Sequence, residues 1–113
     1  MDNCLFCRII RGEIPSTKVF ENDLVYAFRD INPQAPSHIL VIPKVHIASI
    51  DEADKVDDTT LAAIIRAIRE IASAEGLNSG YRVVSNCGDD ACQSVKHLHF
   101  HILGGKKMSE TMT

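Results

Sequence analysis

His97-Leu98-His99-Phe100-His101-Ile102 alternates imidazole with apolar side chain without a break. On a strand, successive side chains point to opposite faces. A strand over 95–103 therefore sets three imidazoles on one face and sends Leu98, Phe100 and Ile102 into a core on the other. A polar outer face that happens to carry histidine would alternate in the same way, because alternation sets register and not residue type. Three of the chain's five histidines share this face, however, which points to a site where imidazoles act as nucleophile, acid or metal ligand.

Working outward, the neighbouring segments supply partners for such a strand. Segments 18–20, 24–29, 38–42 and 81–85 also read as strands, with Asn22-Asp23 as turn chemistry between the first two and Pro43 closing the third. Segment 30–36, Asp30-Ile31-Asn32-Pro33-Gln34-Ala35-Pro36, is a loop, since each proline pushes its predecessor away from helix. The best helix begins at Asp57 or Asp58 and stops before Gly76, with Leu61, Ile64, Ile65, Ile68, Ile71 and Ala72 on one face and Arg66, Arg69 and Glu70 outside. Residues 4–11 form a short helical turn presenting Leu5, Phe6, Ile9 and Ile10, and Ser49 with Glu52 has the capping-box spacing of another short helix. The expected class is α+β: a mostly antiparallel five-stranded sheet with one long and one or two short helices.

The chain has 113 residues, 45% of them hydrophobic and 24% charged, which suits a single domain over 1–113 with an ordinary core. It shows no internal repeat, low-complexity stretch or apolar run of membrane-spanning length. Met1-Asp2-Asn3-Cys4 carries an acid where a secretory leader would carry basic residues, so the expected location is cytoplasmic. A net charge of −3 offers no broad basic field for a nucleic acid, so an anionic substrate must be held by local groups. The loop Gly88-Asp89-Asp90-Ala91-Cys92-Gln93-Ser94 can aim backbone N–H groups and a hydroxyl at a phosphate, although turn chemistry alone also explains it.

Cys4-Leu5-Phe6-Cys7 has the C-x₂-C spacing of half a tetrahedral zinc site. A redox dithiol and two small buried thiols are the competing readings. As metal ligands, the pair can be completed by histidines or by Cys87 and Cys92.

The run from Gln93 through Gly105, Gln-Ser-Val-Lys-His-Leu-His-Phe-His-Ile-Leu-Gly-Gly, resembles the signature of the histidine-triad superfamily, specifically its Hint branch of nucleoside phosphoramidate hydrolases. The resemblance extends to Phe6, Glu13-Ile14-Pro15, segment 30–36 and Val41-Ile42-Pro43-Lys44, and so covers nearly the whole chain. It implies that His99 attacks the α-phosphorus and becomes nucleotidylated, that His101 contacts the phosphate, that Ser94 assists the leaving amine and that His38 completes the set. Asp30 is implied as the carboxylate that takes the ribose hydroxyls, Asn86 and Gln93 as contacts near sugar and phosphate, and Leu5, Phe6, Ile9, Phe28, Ile31 and Leu40 as an apolar slot for the base. Bacterial members of the zinc-binding type imply a structural Zn²⁺ on Cys4, Cys7, His46 and His97, with no cofactor needed for the chemistry. A purine nucleotide substrate and a homodimer are implied as partners. The same triad serves the dinucleoside polyphosphate branch, and a nucleotide-binding adaptor with vestigial activity is the remaining alternative. The pattern generally has glycine where this chain has Cys92, so a β-carbon there strains or narrows the site if the backbone is glycine-like. The tail 106–113 lacks an aromatic carboxyl-terminal segment, which bears on the leaving group.

Overall fold

The computed structural model describes residues 3–113; Met1 and Asp2, on which the leader argument drew, lie outside the described residues. Helix α1 (Leu5–Ile10) is followed by strands β1 (Lys18–Glu21), β2 (Val25–Arg29) and β3 (Ser37–Pro43), a 3₁₀ helix (Ile50–Lys55), helix α2 (Asp58–Ala74), strand β4 (Tyr81–Val84), a 3₁₀ turn (Asp89–Ala91) and strand β5 (Phe100–Gly104). The five strands form one antiparallel sheet in the order β1-β2-β3-β5-β4. None of the described helices is long and apolar enough to cross a membrane.

Helix α2 starts and stops where its chemistry requires. The Asp57 carboxylate accepts from the Thr60 N–H at 2.8 Å as N-cap. At the other end Gly76 takes φ +73°, which lets Gly76 N–H reach the Ser73 carbonyl and Leu77 N–H reach the Ala72 carbonyl in a Schellman motif. The helix lies over β1, β2 and β3 and buries Thr60, Ile64, Ala67, Ile68, Ile71 and Ala72. Ile65, expected on this face, is 59% exposed: it stands about 100° around the axis from Ile64, beyond the covered arc. Ser49 and Glu52 do cap a helix, but a 3₁₀ one, and they divide the work differently from a capping box. The Ser49 hydroxyl accepts from Asp51 N–H, whereas the Glu52 carboxylate accepts from Ala48 N–H, one residue before the cap.

Alternation along the strands separates two apolar clusters. Val25, Ala27, Ile39, Val41 and Ile102 face α2, whereas Tyr26, Phe28, Leu40 and Ile42 face the other way and receive Phe6 and Ile9 of α1. The last strand is shorter than the 95–103 expected and begins only at Phe100, paired with Val41. Beyond that pair the ladder ends in other bonds. Pro43 has no N–H to give, its carbonyl is taken by the His97 imidazole at 2.9 Å, and Leu98 N–H donates to the Ile47 carbonyl at 2.8 Å. The alternation survives all the same: Leu98, Phe100 and Ile102 belong to the α2-side core.

One surface contact fixes the loop between β2 and β3. Arg29 donates from both terminal nitrogens to the Glu75 carboxylate, at 3.0 and 2.9 Å, and the Ser37 hydroxyl donates to the same group at 3.2 Å. Arg29 ends β2, Ser37 begins β3 and Glu75 is the C-cap of α2.

Candidate active site

His38 on β3 pairs with Leu103, and Leu40 pairs with His101 on β5, so both imidazoles stand on the sheet face away from α2. Their partners determine where each proton sits. The backbone N–H of Gln34 donates to His38 Nδ1 at 3.0 Å. A main-chain N–H can only donate, so Nδ1 is bare and the His38 proton is on Nε2. That Nε2 lies 2.9 Å from His101 Nδ1, which must accept, leaving His101 with its own proton on Nε2. The Asp30 carboxylate flanks the pair, with Oδ2 at 3.4 Å from His38 Nε2 and Oδ1 accepting from Asn32 N–H at 2.8 Å.

His99 has the opposite tautomer. Its Nδ1 lies 2.7 Å from the carbonyl of His97, which only accepts, so Nδ1 carries the proton and Nε2 keeps its lone pair. His97 itself donates from Nε2 to the Pro43 carbonyl. Of the three alternating imidazoles, His99 alone presents a bare Nε2. Phe6 holds the ring by an edge contact, centroids 5.1 Å apart and planes at 87°, and the His101 ring lies 5.1 Å away on centroids.

Burial disfavours the charged forms of His38 and His101. It pushes His101 down to about 4, helped by the neighbouring His99 and His38 and opposed by Asp30. Burial likewise holds His38 below its ordinary value, against the Asp30 carboxylate. Asp30, His38 and His101 bring three possible ligand atoms within 4.8 Å of one another. A metal on His38 Nε2 would need the proton on Nδ1, where the Gln34 N–H already points, so this trio is arranged to hold protons.

The loop before the strand is braced from inside. Gln93, buried, donates from its amide to the Ala48 and Val95 carbonyls at 2.6 and 3.0 Å and accepts from Gly88 N–H at 2.9 Å. Its side chain thus serves the loop, while its neighbour Ser94 is exposed and Asn86 is half-buried. Cys92, next in the loop, has φ 62° and ψ 39°, the one positive φ among described residues other than glycine.

Of the slot residues, Phe6, Ile9, Phe28 and Leu40 pack together in the second apolar cluster, with Phe6 and Phe28 edge to face at 5.5 Å. Leu5 is 43% exposed, and Ile31 stands fully exposed on the β2–β3 loop.

Next to His99, four side chains converge. Cys4 Sγ lies 3.3 Å and Cys7 Sγ 3.5 Å from His97 Nδ1, Cys7 Sγ lies 3.4 Å from His46 Nδ1, and the two Nδ1 atoms are 3.1 Å apart. A tetrahedral zinc ion with ordinary bond lengths has ligand edges of about 3.3 Å between nitrogens and about 3.6 Å between sulfur and nitrogen. The donor set fits. The His97 tautomer fits as well, since Nε2–H is committed to Pro43 and Nδ1 is free to ligate. Burial takes His97 down to about 4 against the pull of the Pro43 carbonyl, with His46 and His99 adding to the effect. Burial, with Cys4 adding, pushes the Cys7 thiol up to about 11, which a cation at the centre would reverse. The all-cysteine set is not brought together: Cys87 bonds to the Ser49 hydroxyl, and Cys92 is exposed.

Three groups of this site carried no residue-type signal in the sequence: the Gln34 N–H, the His97 carbonyl and the Pro43 carbonyl. Each is a main-chain group, so only the fold reveals its use.

Comparison with known proteins agrees with this geometry. The model of the HIT domain matches residues 11–108. A 14 kDa zinc-binding protein of Zea mays is 49% identical over 107 residues, covering 93% of this chain and 84% of that protein. The adenylylsulfatase HINT1 of Arabidopsis thaliana is 46% identical over 107 residues, covering 93% and 73%. The crystal structure of a HIT family hydrolase from Legionella pneumophila Philadelphia 1 superimposes with a TM-score of 0.92 at 50% identity, covering 96% of this chain and 97% of that one. The alternating histidines, the antiparallel sheet they adjoin and these relatives agree: the chain belongs to the HIT domain family.

Proposed function

We propose that the protein hydrolyses purine nucleoside phosphoramidates or aminoacyl adenylates to the nucleoside monophosphate through a nucleotidyl-histidine intermediate. The observation that carries this reading is the tautomer of His99, held by the His97 carbonyl so that a bare Nε2 is available for attack. In the first step His99 Nε2 bonds to the α-phosphorus as the bond to the leaving group breaks. That bond is phosphorus–nitrogen in a phosphoramidate, whose amine takes a proton from solvent by way of the Ser94 hydroxyl, or phosphorus–oxygen in an aminoacyl adenylate, whose carboxylate leaves as the anion. The new imidazolium keeps its Nδ1–H on the His97 carbonyl. His101 donates its Nε2–H to a phosphoryl oxygen as charge builds there, and His38 fixes His101 in that tautomer. In the second step water attacks phosphorus, releases the monophosphate and restores His99.

Asp30 takes the ribose hydroxyls, Asn86 contacts sugar and phosphate, and the loop through Gln93 presents its backbone to the phosphate. The base lies against the edge of the cluster formed by Phe6, Ile9, Phe28 and Leu40, with Leu5 and Ile31 closing over it. Cys4, Cys7, His46 and His97 would hold a zinc ion with four protein ligands, so the ion would contribute to stability and not activate water. A homodimer through β4 is supported by its place at the sheet edge, with Tyr81 and Val83 each 41% exposed and Ile65 of α2 also bare. The proposed location is the cytoplasm. Adenylyl sulfate, the substrate class in the Arabidopsis relative's name, and dinucleoside polyphosphates differ from the proposed substrates only in the leaving group.

The test is intact-mass measurement and peptide mapping after brief mixing with an adenosine phosphoramidate. The wild type should carry an adenylyl group on His99, and His99→Ala should show neither adduct nor turnover while staying folded. His101→Ala should slow adduct formation by roughly 10²–10³, as for loss of one oxyanion contact. An adduct on any other residue, or full turnover by His99→Ala, rules the mechanism out.

A further inference from the structure

We infer that Asp30 is a positioning residue that couples recognition of the sugar to the histidine pair beside the phosphate. The inference rests on the nucleotide reading above and goes beyond it, because it assigns the ribose a part in the chemical step. His38 has a single N–H, on Nε2, since the Gln34 backbone occupies Nδ1. Two acceptors face that one proton: His101 Nδ1 at 2.9 Å and Asp30 Oδ2 at 3.4 Å. One N–H cannot point fully at both. The carboxylate is not free to leave, because its other oxygen is held by Asn32 N–H at 2.8 Å and its backbone N–H donates to the His38 carbonyl at 3.0 Å.

A vicinal diol donating to this carboxylate satisfies Oδ2 and withdraws it as a competitor for the His38 proton. The proton is then directed wholly to His101 Nδ1. Hydrogen bonds in series polarise one another, so a better-donated His101 becomes a stronger donor from its own Nε2–H. The negative charge beside the pair is screened in the same event, which acts in the same direction on both rings. His38 has a side chain 3% exposed and Asp30 one 18% exposed, so solvent does little to decouple them. The sugar hydroxyls therefore raise the rate of phosphoryl transfer as well as the affinity. A carboxylate used only as a sugar anchor would affect affinity alone.

The experiment compares single-turnover formation of the adenylyl adduct from an adenosine phosphoramidate and from its 2′,3′-dideoxy counterpart, each at saturation, in the wild type and in Asp30→Asn. Asparagine keeps an oxygen for the Asn32 N–H and removes the charge. The wild type should form adduct roughly five- to tenfold faster from the ribose substrate, the worth of one redistributed hydrogen bond. In Asp30→Asn that ratio should fall to about one. Long-range ¹⁵N–¹H spectra of the histidine rings give a second readout: the His38 Nε2–H resonance should move on adding AMP and stay in place on adding dideoxy-AMP. Equal saturating rates for the two substrates in the wild type, with the whole difference in KM, overturn the inference, as does an equal His38 shift with both nucleotides. These comparisons need no variant, so they hold if Asp30→Asn fails to fold. Absence of an adduct from either substrate would instead be a failure of the hydrolase reading.

Discussion

Replacing Cys92 by glycine should stabilise the protein. Cys92 closes the 3₁₀ turn before the triad with its N–H on the Asp89 carbonyl at 2.9 Å, and does so at φ 62° and ψ 39°. A β-carbon in that left-handed region costs about 1–2 kcal/mol. Glycine removes the cost but gives the unfolded chain extra freedom worth roughly 0.5–1 kcal/mol. The thiol is exposed, so little packing is lost with it. The net gain is about 0.5–1 kcal/mol, or a rise in Tm of roughly 2–5 °C for a domain of this size. Reduced wild type, Cys92→Gly and Cys92→Ala should be melted side by side. Alanine keeps the β-carbon and should melt within about 1 °C of the parent, inside the ±0.5 kcal/mol typical of surface changes. A glycine variant that melts at or below wild type refutes the strain argument. An alanine variant that gains as much as glycine moves the cause from backbone to thiol.

Gln93→Ala should lower stability by about 2–3 kcal/mol in urea unfolding, because it strands the Ala48 and Val95 carbonyls and the Gly88 N–H. Native mass spectrometry should find one zinc per chain, retained by a Cys87→Ser, Cys92→Ser double variant and lost in His97→Ala; chelation should lower the Tm, since binding energy here is folding energy. The chelated protein should lose stability as pH falls. His97 and His101 are each depressed to about 4, so between about 6.5 and 4 the unfolded chain binds protons that the folded chain refuses, at a cost of up to about 3 kcal/mol for each. Flat stability across that window in a pH series of urea midpoints would show that neither His97 nor His101 is buried neutral.

What was legible in the sequence was what depends on neighbours along the chain. Asp57 and Gly76 bracket α2 because a cap acts within one turn, and the alternation at 97–102 specifies faces whether or not the ladder continues. The start of β5 was not legible. It depends on Pro43 lying across from the strand and on His97 taking that carbonyl, a pairing 54 residues apart. Ile65 reads as core by spacing, yet the width of the covered arc is set by the sheet beneath and not by the helix. The four proposed ligands of the Cys/His cluster were named from residue type and family likeness, and the fold brings their ligand atoms within 4.8 Å of one another. The tautomers that distinguish His99 from His101 depend on carbonyl and amide groups that every residue possesses, so no residue type announces them.

The contact of Glu75 with Arg29 and Ser37 makes the loop at 30–36 an arch with both feet on one carboxylate. Such an arch can flex at its crown, but its span is fixed from the far side of the sheet. The crown carries Gln34, whose backbone N–H sets the tautomer of His38. Glu75→Gln, a surface change on the last turn of a helix, would therefore loosen the grip on an imidazole it never touches. The proton arrangement of the histidine face would in this way be adjustable from the opposite surface, without altering any residue proposed to meet the substrate.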